Sequence, residues 1–333
     1  MKKINVAIIG LGVVGQRRKK FIEENKNFNI IAISDIKFKK NFTKNKILYY
    51  RNYNDIFELQ NLDAVFVTLP NYLAANVTMN FLKKQIHVFC EKPPGRNPKE
   101  IKKVINVEKK FKNVKLKYGF NHRYHNSIKL AKNLISSKIY GQVINVRAVY
   151  GKSKIITFKK SDWRAKKKYA GGGILLDQGI HLLDILYYFL GYFKYYKSFI
   201  SNSFWKYDVE DNAFCIMKNQ KGVIASIHST ATQWQHKFNM EISLTFGTII
   251  LNGILSGSKS YGKETITIIS KINKKKKKIF FSKDNSWKQE IDEFADIIMN
   301  NSKVHTGNSK QALDVMNMVY KIYKNDRSWK YIQ

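Results

Sequence analysis

Short apolar runs alternate with amphipathic segments through the first third of the chain. Val6-Ala7-Ile8-Ile9, Phe28 to Ser34, Asp63 to Leu69, Ile86 to Cys90 and Val114 to Tyr118 are nearly continuous apolar stretches. Strands buried on both faces have this character. Between them lie a polar-basic helical segment from Gln16 to Asn25, another from Leu73 to Lys83, and an amphipathic helix that opens at Asn97-Pro98 and reaches Lys112. The βαβ alternation predicts an α/β fold whose N-terminal domain, residues 1–120, is a doubly wound parallel sheet. From Asn121 onward the pattern changes. A helix from Asn126 to Ser136 and a strand from Gln142 to Tyr150 precede a helix carrying Asp177. Strand-like segments then follow at Tyr195 to Ser203, Asn212 to Met217, Val223 to Thr230, Asn239 to Thr245, Thr248 to Leu251 and Thr265 to Ile272. Helices from Trp287 to Met299 and Ser309 to Tyr323 close the chain. Residues 121–333 are therefore expected to form an α+β domain with a large, mostly antiparallel open sheet.

The turn after the first strand reads Gly10-Leu11-Gly12-Val13-Val14-Gly15. In a G-x-G-x-x-G turn between strand and helix, the first glycine permits the tight turn and the second lets the backbone approach a pyrophosphate. The third lets the helix pack on the strand, with its N-terminus aimed at the phosphates. Asp35 ends the second strand twenty residues beyond Gly15. A carboxylate there accepts hydrogen bonds from ribose hydroxyls and repels a 2′-phosphate, so NAD is favoured over NADP, although Lys37 nearby would admit some NADP. Thr68-Leu69-Pro70-Asn71 ends the third strand and Glu91-Lys92-Pro93 leaves the next, at the carboxyl edge where such sheets bind ligands. The cofactor candidates are thus Gly10, Leu11, Gly12, Val13, Val14, Gly15, Asp35, Thr68, Leu69, Pro70, Asn71, Glu91 and Lys92, in a Rossmann domain.

Three further motifs follow in order: Glu91-Lys92-Pro93, Gly119-Phe120-Asn121-His122-Arg123-Tyr124, and Gly171-Gly172-Gly173-Ile174-Leu175-Leu176-Asp177-Gln178-Gly179-Ile180-His181. With the glycine fingerprint they resemble the Gfo/Idh/MocA family, the relatives of glucose-fructose oxidoreductase and inositol dehydrogenase, over nearly the whole chain. The resemblance implies an NAD(P)-dependent dehydrogenase that acts on a CH-OH carbon of a sugar, nucleotide sugar or cyclitol. It also implies that Lys92 and His181 are the catalytic pair, that the Lys92-Pro93 bond is cis, and that one face of the sheet mediates subunit contact in a homodimer or homotetramer. Ala74 departs from the pattern, since many relatives carry histidine at that place, and this weakens any assignment to a named activity.

The residues argue for the same chemistry on their own. Hydride transfer from an alcohol carbon needs a base for the hydroxyl proton and a positive group for the developing alkoxide. Asp177 and His181 stand at i and i+4 on an expected helix and share a face. Histidine titrates near neutrality, and Asp177 either orients the imidazole or contacts substrate. Lys92 offers the ammonium. Arg123, Tyr124, Lys152, Trp163 and Arg164 are the substrate candidates, the two arginines because a guanidinium grips phosphate or carboxylate bidentately. Gln233-Trp234-Gln235-His236 has a similar composition, suited either to the same mouth or to a subunit edge.

Charge then bears on partners. Lys and Arg number 60 against 24 Asp and Glu, a net charge of +36. The lysines are spread along the whole chain, so the excess suggests an anionic small substrate rather than nucleic acid. The run Lys274 to Lys278 reads as a solvated hairpin turn. Cys90 and Cys215 are too few for a disulfide framework or zinc site. Lys2-Lys3 before an apolar stretch imitates a secretory leader, but three glycines interrupt it. The longest apolar candidate for a span, Ile174 to Phe193, contains Asp177, His181 and Asp184. The expectation is a cytoplasmic enzyme with no metal, membrane or nucleic-acid partner, acting on a nucleotide sugar or sugar acid of surface-polysaccharide synthesis. A cyclitol or free-sugar dehydrogenase and a non-catalytic NAD-sensing regulator are the alternatives.

Overall fold

The computed structural model describes residues 3–152, 160–256 and 261–329. The chain begins with β1 (Ile4–Ile9), α1 (Val13–Glu23), β2 (Phe28–Ser34), β3 (Phe42–Lys44), β4 (Ile47–Tyr50), β5 (Ala64–Val67), α2 (Asn71–Lys83), β6 (His87–Glu91), α3 (Pro98–Glu108) and β7 (Leu116–Gly119). These strands form a seven-stranded sheet in the order β3-β4-β2-β1-β5-β6-β7. From β4 to β7 every neighbouring pair is parallel. The central strands are buried along almost their whole length, as their apolar composition requires. The Asn97 side chain caps α3 by accepting the Glu100 N–H, with Pro98 at the first helical position.

The β3-β4 hairpin is an addition that the hydrophobic pattern did not disclose. Both strands are short, β3 exposed and β4 half-buried, and Asn45 and Lys46 supply the positive φ values, 50° and 62°, of a two-residue turn.

The later elements are α4 (Asn126–Ser137), β8 (Val143–Gly151), α5 (Lys167–Ala170), a π-helical segment Leu175–Gly179 running into α6 (Ile180–Leu190), β9 (Phe193–Ser201), β10 (Asn212–Asn219), β11 (Ile224–Thr230), β12 (Lys237–Leu244), β13 (Gly247–Asn252), β14 (Glu264–Ser270), β15 (Lys276–Phe281), α7 (Ser286–Met299) and α8 (Ser309–Asn325). Strands β8 to β15 form an eight-stranded sheet in the order β15-β14-β13-β12-β8-β11-β10-β9. Its β8-β11 pairing is parallel and the other pairings are antiparallel. The architecture is the expected α/β one, a parallel Rossmann-like sheet and a large mostly antiparallel sheet. In β10, Ala213, Cys215 and Met217 are buried while Phe214, Ile216 and Lys218 are exposed, so one face of this sheet is core and the other faces outward.

Two compact units result, one of Met1–Phe120 with Trp287–Leu313, the other of Asn121–Ser286 with Asp314–Gln333. The sequence pattern had given all of 121–333 to the second. Trp287–Leu313 joins the first because Phe294 of α7 packs on the rings of Phe66 and Phe89 at 5.7 and 5.5 Å, and Glu290 pairs with buried Arg18 of α1 at 2.6 Å. The lysine run also differs from expectation. The turn lies at Lys271–Asn273, and Lys276 to Lys278 begin β15, the edge strand, where exposed lysines oppose edge-to-edge association. Lys167–Leu190 holds an 18-residue window with the mean hydropathy, 1.2, of a membrane span, but 72% of that window is buried inside the protein, the character of a core helix.

Candidate active site

The dinucleotide candidates of the first unit converge on the β1-α1 turn. Gly10 has φ 96°, and a Cβ on Gly15 would stand 2.0 Å from the Gly10 carbonyl oxygen, so neither position accepts a side chain. At Gly12 an added Cβ would meet nothing within 4 Å, and Val13 is 80% exposed. The first turn of α1 has no side-chain cap and no acidic residue. Its leading N–H groups therefore face an open cradle, which suits a pyrophosphate. The Thr68 hydroxyl donates toward the Ile9 and Gly10 carbonyls at 3.1 and 2.5 Å and fixes the turn against β5. Asp35 Oδ2 accepts the Leu11 N–H at 2.6 Å, and Oδ1 accepts the Lys37 N–H at 2.9 Å. Each oxygen keeps a second lone pair for a ribose hydroxyl. Leu69, Pro70 and Asn71 form the β5-α2 junction, with Pro70 at the N-cap of α2.

Glu91 and Lys92 leave the carboxyl end of β6, and the Lys92-Pro93 bond is cis. Glu91 is committed elsewhere than to the cofactor. Its carboxylate pairs with Arg18 at 2.5 Å, and the Arg18 guanidinium lies over the rings of Phe89 and Trp287 at 4.4 and 4.3 Å. Arg18 thus ties the helix of the glycine turn to the strand that delivers Lys92. Lys92 itself is half-buried.

In the second unit, Asp177 lies within the π-helical segment and His181 in the first turn of α6. The expected α-helical spacing is thus replaced at Asp177 by a π-bulge, a feature frequent at functional sites. The bulge is anchored by a residue that sequence reasoning missed. The Gly173 and Leu175 N–H groups donate to the Glu210 carboxylate at 2.7 and 2.9 Å, and the Tyr323 hydroxyl donates to it at 2.6 Å. Burial pushes the Glu210 carboxyl up to about 7, against the opposing effect of these donors. Asp177 Oδ2 accepts from Lys152 Nζ at 3.2 Å, so Lys152, expected among substrate contacts, is paired with the expected catalytic carboxylate. His181 is buried and its ring stacks on His122, with centroids 3.6 Å apart and an 18° interplanar angle.

The remaining substrate candidates separate. Arg123 is corrected, because its guanidinium is buried and gripped bidentately by Asp184 of α6, with contacts of 2.5, 2.9 and 3.1 Å. Burial raises the Asp184 carboxyl, and the charge of Arg123 and its hydrogen bonds oppose that rise. Tyr124 is buried beside it. Arg164 and Trp163 remain half-exposed, the guanidinium lying over the indole at 4.3 Å, on a short turn capped by the Asp162 side chain. In the Gln233–His236 segment, the Gln233 N–H donates to the Lys152 carbonyl at 3.0 Å. Glu210 stood in the sequence without a local signal, since it acts through partners distant in the chain, whereas His122 stood in the Gly119–Tyr124 motif with no role read from it.

Comparison with known proteins accords with this geometry. Residues 4–120 match the family model described as the oxidoreductase family, NAD-binding Rossmann fold, and residues 128–250 match the GFO/IDH/MocA C-terminal domain. The glucose-6-phosphate 3-dehydrogenase of Bacillus subtilis is 28% identical over 191 residues, which cover 56% of this chain and 53% of the relative. The chain spans about half the length of the curated relatives it matches. Among solved structures, the aldose-aldose oxidoreductase from Caulobacter crescentus, complexed with glycerol, is similar with a TM-score of 0.84 at 20% identity, covering 98% of both chains. A 3-ketoreductase from Actinomadura kijaniata, in complex with NADP and TDP-benzene, gives 0.81 at 18% identity over 96% of both chains. With both domain models matched in order, the chain belongs to the Gfo/Idh/MocA oxidoreductase family.

Proposed function

We propose that this protein is an NAD-dependent dehydrogenase that interconverts a secondary hydroxyl and a keto carbon of an anionic sugar derivative, a nucleotide sugar or a sugar acid or phosphate. Bound NAD supplies the hydride-accepting carbon of the nicotinamide. His181 takes the hydroxyl proton as the carbon–hydrogen bond breaks with its electron pair, and a ketone is left. Lys92 steadies the developing alkoxide with its ammonium. Asp177 and Lys152 hold neighbouring hydroxyls, and Arg164 with Trp163 receives the anionic or ring portion of the substrate. The observation that carries the reading is the assembly of His181 and the Asp177–Lys152 pair on one buried helical segment and the adjoining end of β8. The names of the B. subtilis and A. kijaniata proteins both point to carbon 3 of a sugar, which makes that carbon the first to examine. Asp35 supports NAD over NADP, since its carboxylate would face a 2′-phosphate.

The reading includes a cytoplasmic location, supported by two free, buried cysteines, and no nucleic-acid or membrane partner. It also includes a homodimer or homotetramer through the outward face of the second sheet, where Phe199, Phe214 and Ile216 lie exposed in adjacent strands.

The test is incubation with NAD and a panel of nucleotide hexoses, hexose phosphates, sugar acids, free sugars, glycosides and inositols, following NADH. Turnover of the anionic members, abolished in His181→Ala and Lys92→Ala, is the expected result. Preference for neutral polyols would favour a cyclitol or free-sugar dehydrogenase. Tight NAD binding without turnover of any member would favour an NAD sensor.

A further inference from the structure

The stacked imidazoles of His122 and His181 have a consequence for catalysis. Two rings with centroids 3.6 Å apart cannot both carry charge without strong repulsion, so the pair takes up at most one proton before that repulsion must be overcome. The surroundings of His122 decide which ring takes it. Asn121 donates its amide N–H to Ser286 Oγ at 3.4 Å, which turns its Oδ1, an acceptor only, toward His122 Nδ1 at 3.2 Å. On the other side, His122 Nε2 lies 3.1 Å from the Tyr150 hydroxyl, which can donate to the neutral ring or accept from the charged one. Tyr150 in turn adjoins Tyr261, whose hydroxyl donates to Gln178 Oε1 at 3.1 Å. A proton on His122 therefore finds oxygen on both nitrogens.

The other ionisable groups around the two rings each lie against a partner. His125, 5.4 Å from the His122 ring, meets the Glu264 carboxylate at 2.8 Å. Lys152 is matched by Asp177, and Arg123 by Asp184, on the elements that flank α6. The Lys152–Asp177 and Arg123–Asp184 pairs leave little net field of their own, and the Glu264 carboxylate lies behind His125 on the His122 side, where it favours a proton on His122.

We infer that His122 is a positioning residue for the reaction: it presents a flat face to His181, accepts the first proton as pH falls, and so keeps His181 unprotonated and competent as a base to lower pH. The inference rests on the proposed role of His181 as the proton acceptor. It assigns a function to the Asn121-His122-Arg123 motif, of which only Arg123 had been considered for substrate binding.

The test compares wild type, His122→Phe and Tyr150→Phe. Phenylalanine at 122 keeps a flat aromatic face and cannot bind a proton. The acid limb of the kcat/KM–pH profile is expected to move up by about one pH unit or more in His122→Phe, and by less in Tyr150→Phe, which removes one of the two hydrogen-bond partners. A purely structural role would lower kcat or Tm and leave the limb where it was. A limb unmoved within about 0.2 pH unit in His122→Phe would overturn the inference while leaving the proposed activity intact. If wild type oxidises none of the substrates, the proposed activity fails instead. The same comparison is then read from the ring C–H resonances of His181 in the free protein. Protonation of His181 at higher pH in His122→Phe upholds the inference, and coincident titration curves overturn it.

Discussion

At the scale of single residues, the chain separates side chains that face a ligand from those that hold the frame. Arg123 had the sequence credentials of an anion grip, yet its guanidinium is bound to Asp184, 61 positions away. Replacing Asp184 with Asn leaves a buried guanidinium uncompensated and is expected to cost about 3–5 kcal/mol in urea-melt stability. An Arg123→Met, Asp184→Leu double variant should recover most of that loss, because the desolvation cost of both ions disappears. Asp35 is the opposite case, a residue whose proposed role as ribose acceptor is read from its local position after β2. Asp35→Ser removes the ribose acceptor and a partner of the Leu11 N–H, so NADH affinity should fall about tenfold or more, and NADPH affinity should fall less. Fluorescence titration with the two nucleotides measures the difference. The shape of the glycine turn was legible in the sequence because its steric demands, and the contact of Asp35 with the Leu11 N–H, are met within one βαβ unit. The commitments of Arg123, Glu91 and Lys152 were not, because each is settled by a carboxylate or guanidinium brought from another element.

At the scale of elements, the segment bearing Asp177 shows how a local pattern is overridden. The run Ile174 to Leu190 reads as a regular helix, but Glu210 seizes the N–H groups of Gly173 and Leu175, and the backbone passes through a π-turn before α6. Glu210 also provides a pH signature. Its carboxyl, raised to about 7 by burial, keeps a proton that the unfolded chain releases near the ordinary glutamate value. Between roughly pH 4.5 and 7 the native state therefore binds more protons than the unfolded state. Its contribution to stability is full below that window and declines as pH rises through it. Glu210→Gln should flatten this part of the stability profile and lower stability by about 1–3 kcal/mol, since an amide N–H would confront a backbone N–H. Urea denaturation at a series of pH values tests both parts. Most strands, by contrast, followed the hydrophobic pattern, as continuous apolar runs in the parallel sheet and as period-two alternation in strands such as β10, while β3 and β4 did not.

At the scale of the whole molecule, the charge and the sheet face set the expectations. A net charge of +36, on lysines and arginines spread through the chain, is expected to draw anionic ligands, while the second sheet leaves Phe199, 78% exposed, beside Phe214 and Ile216 on the neighbouring strand. If this face joins copies of the chain, Phe199→Lys with Ile216→Lys should yield monomers by light scattering, with the pH-stability profile of Glu210 retained. The assignment of Trp287–Leu313 to the first unit belongs to this scale too. No local feature of α7 announces that Phe294 will complete an aromatic cluster with Phe28, Phe66 and Phe89.

The sequence by itself determined the fold class, the order of most of the elements, the glycine turn after β1 and the family. Those properties follow from backbone sterics and side-chain periodicity, which act over a few residues. The tertiary structure alone decided which charges neutralise one another, where the helix of Asp177 departs from regularity, and that His181 would lie against His122. Burial makes each of those outcomes depend on partners that the chain delivers from far away, as with Arg18 and Glu290, 272 positions apart.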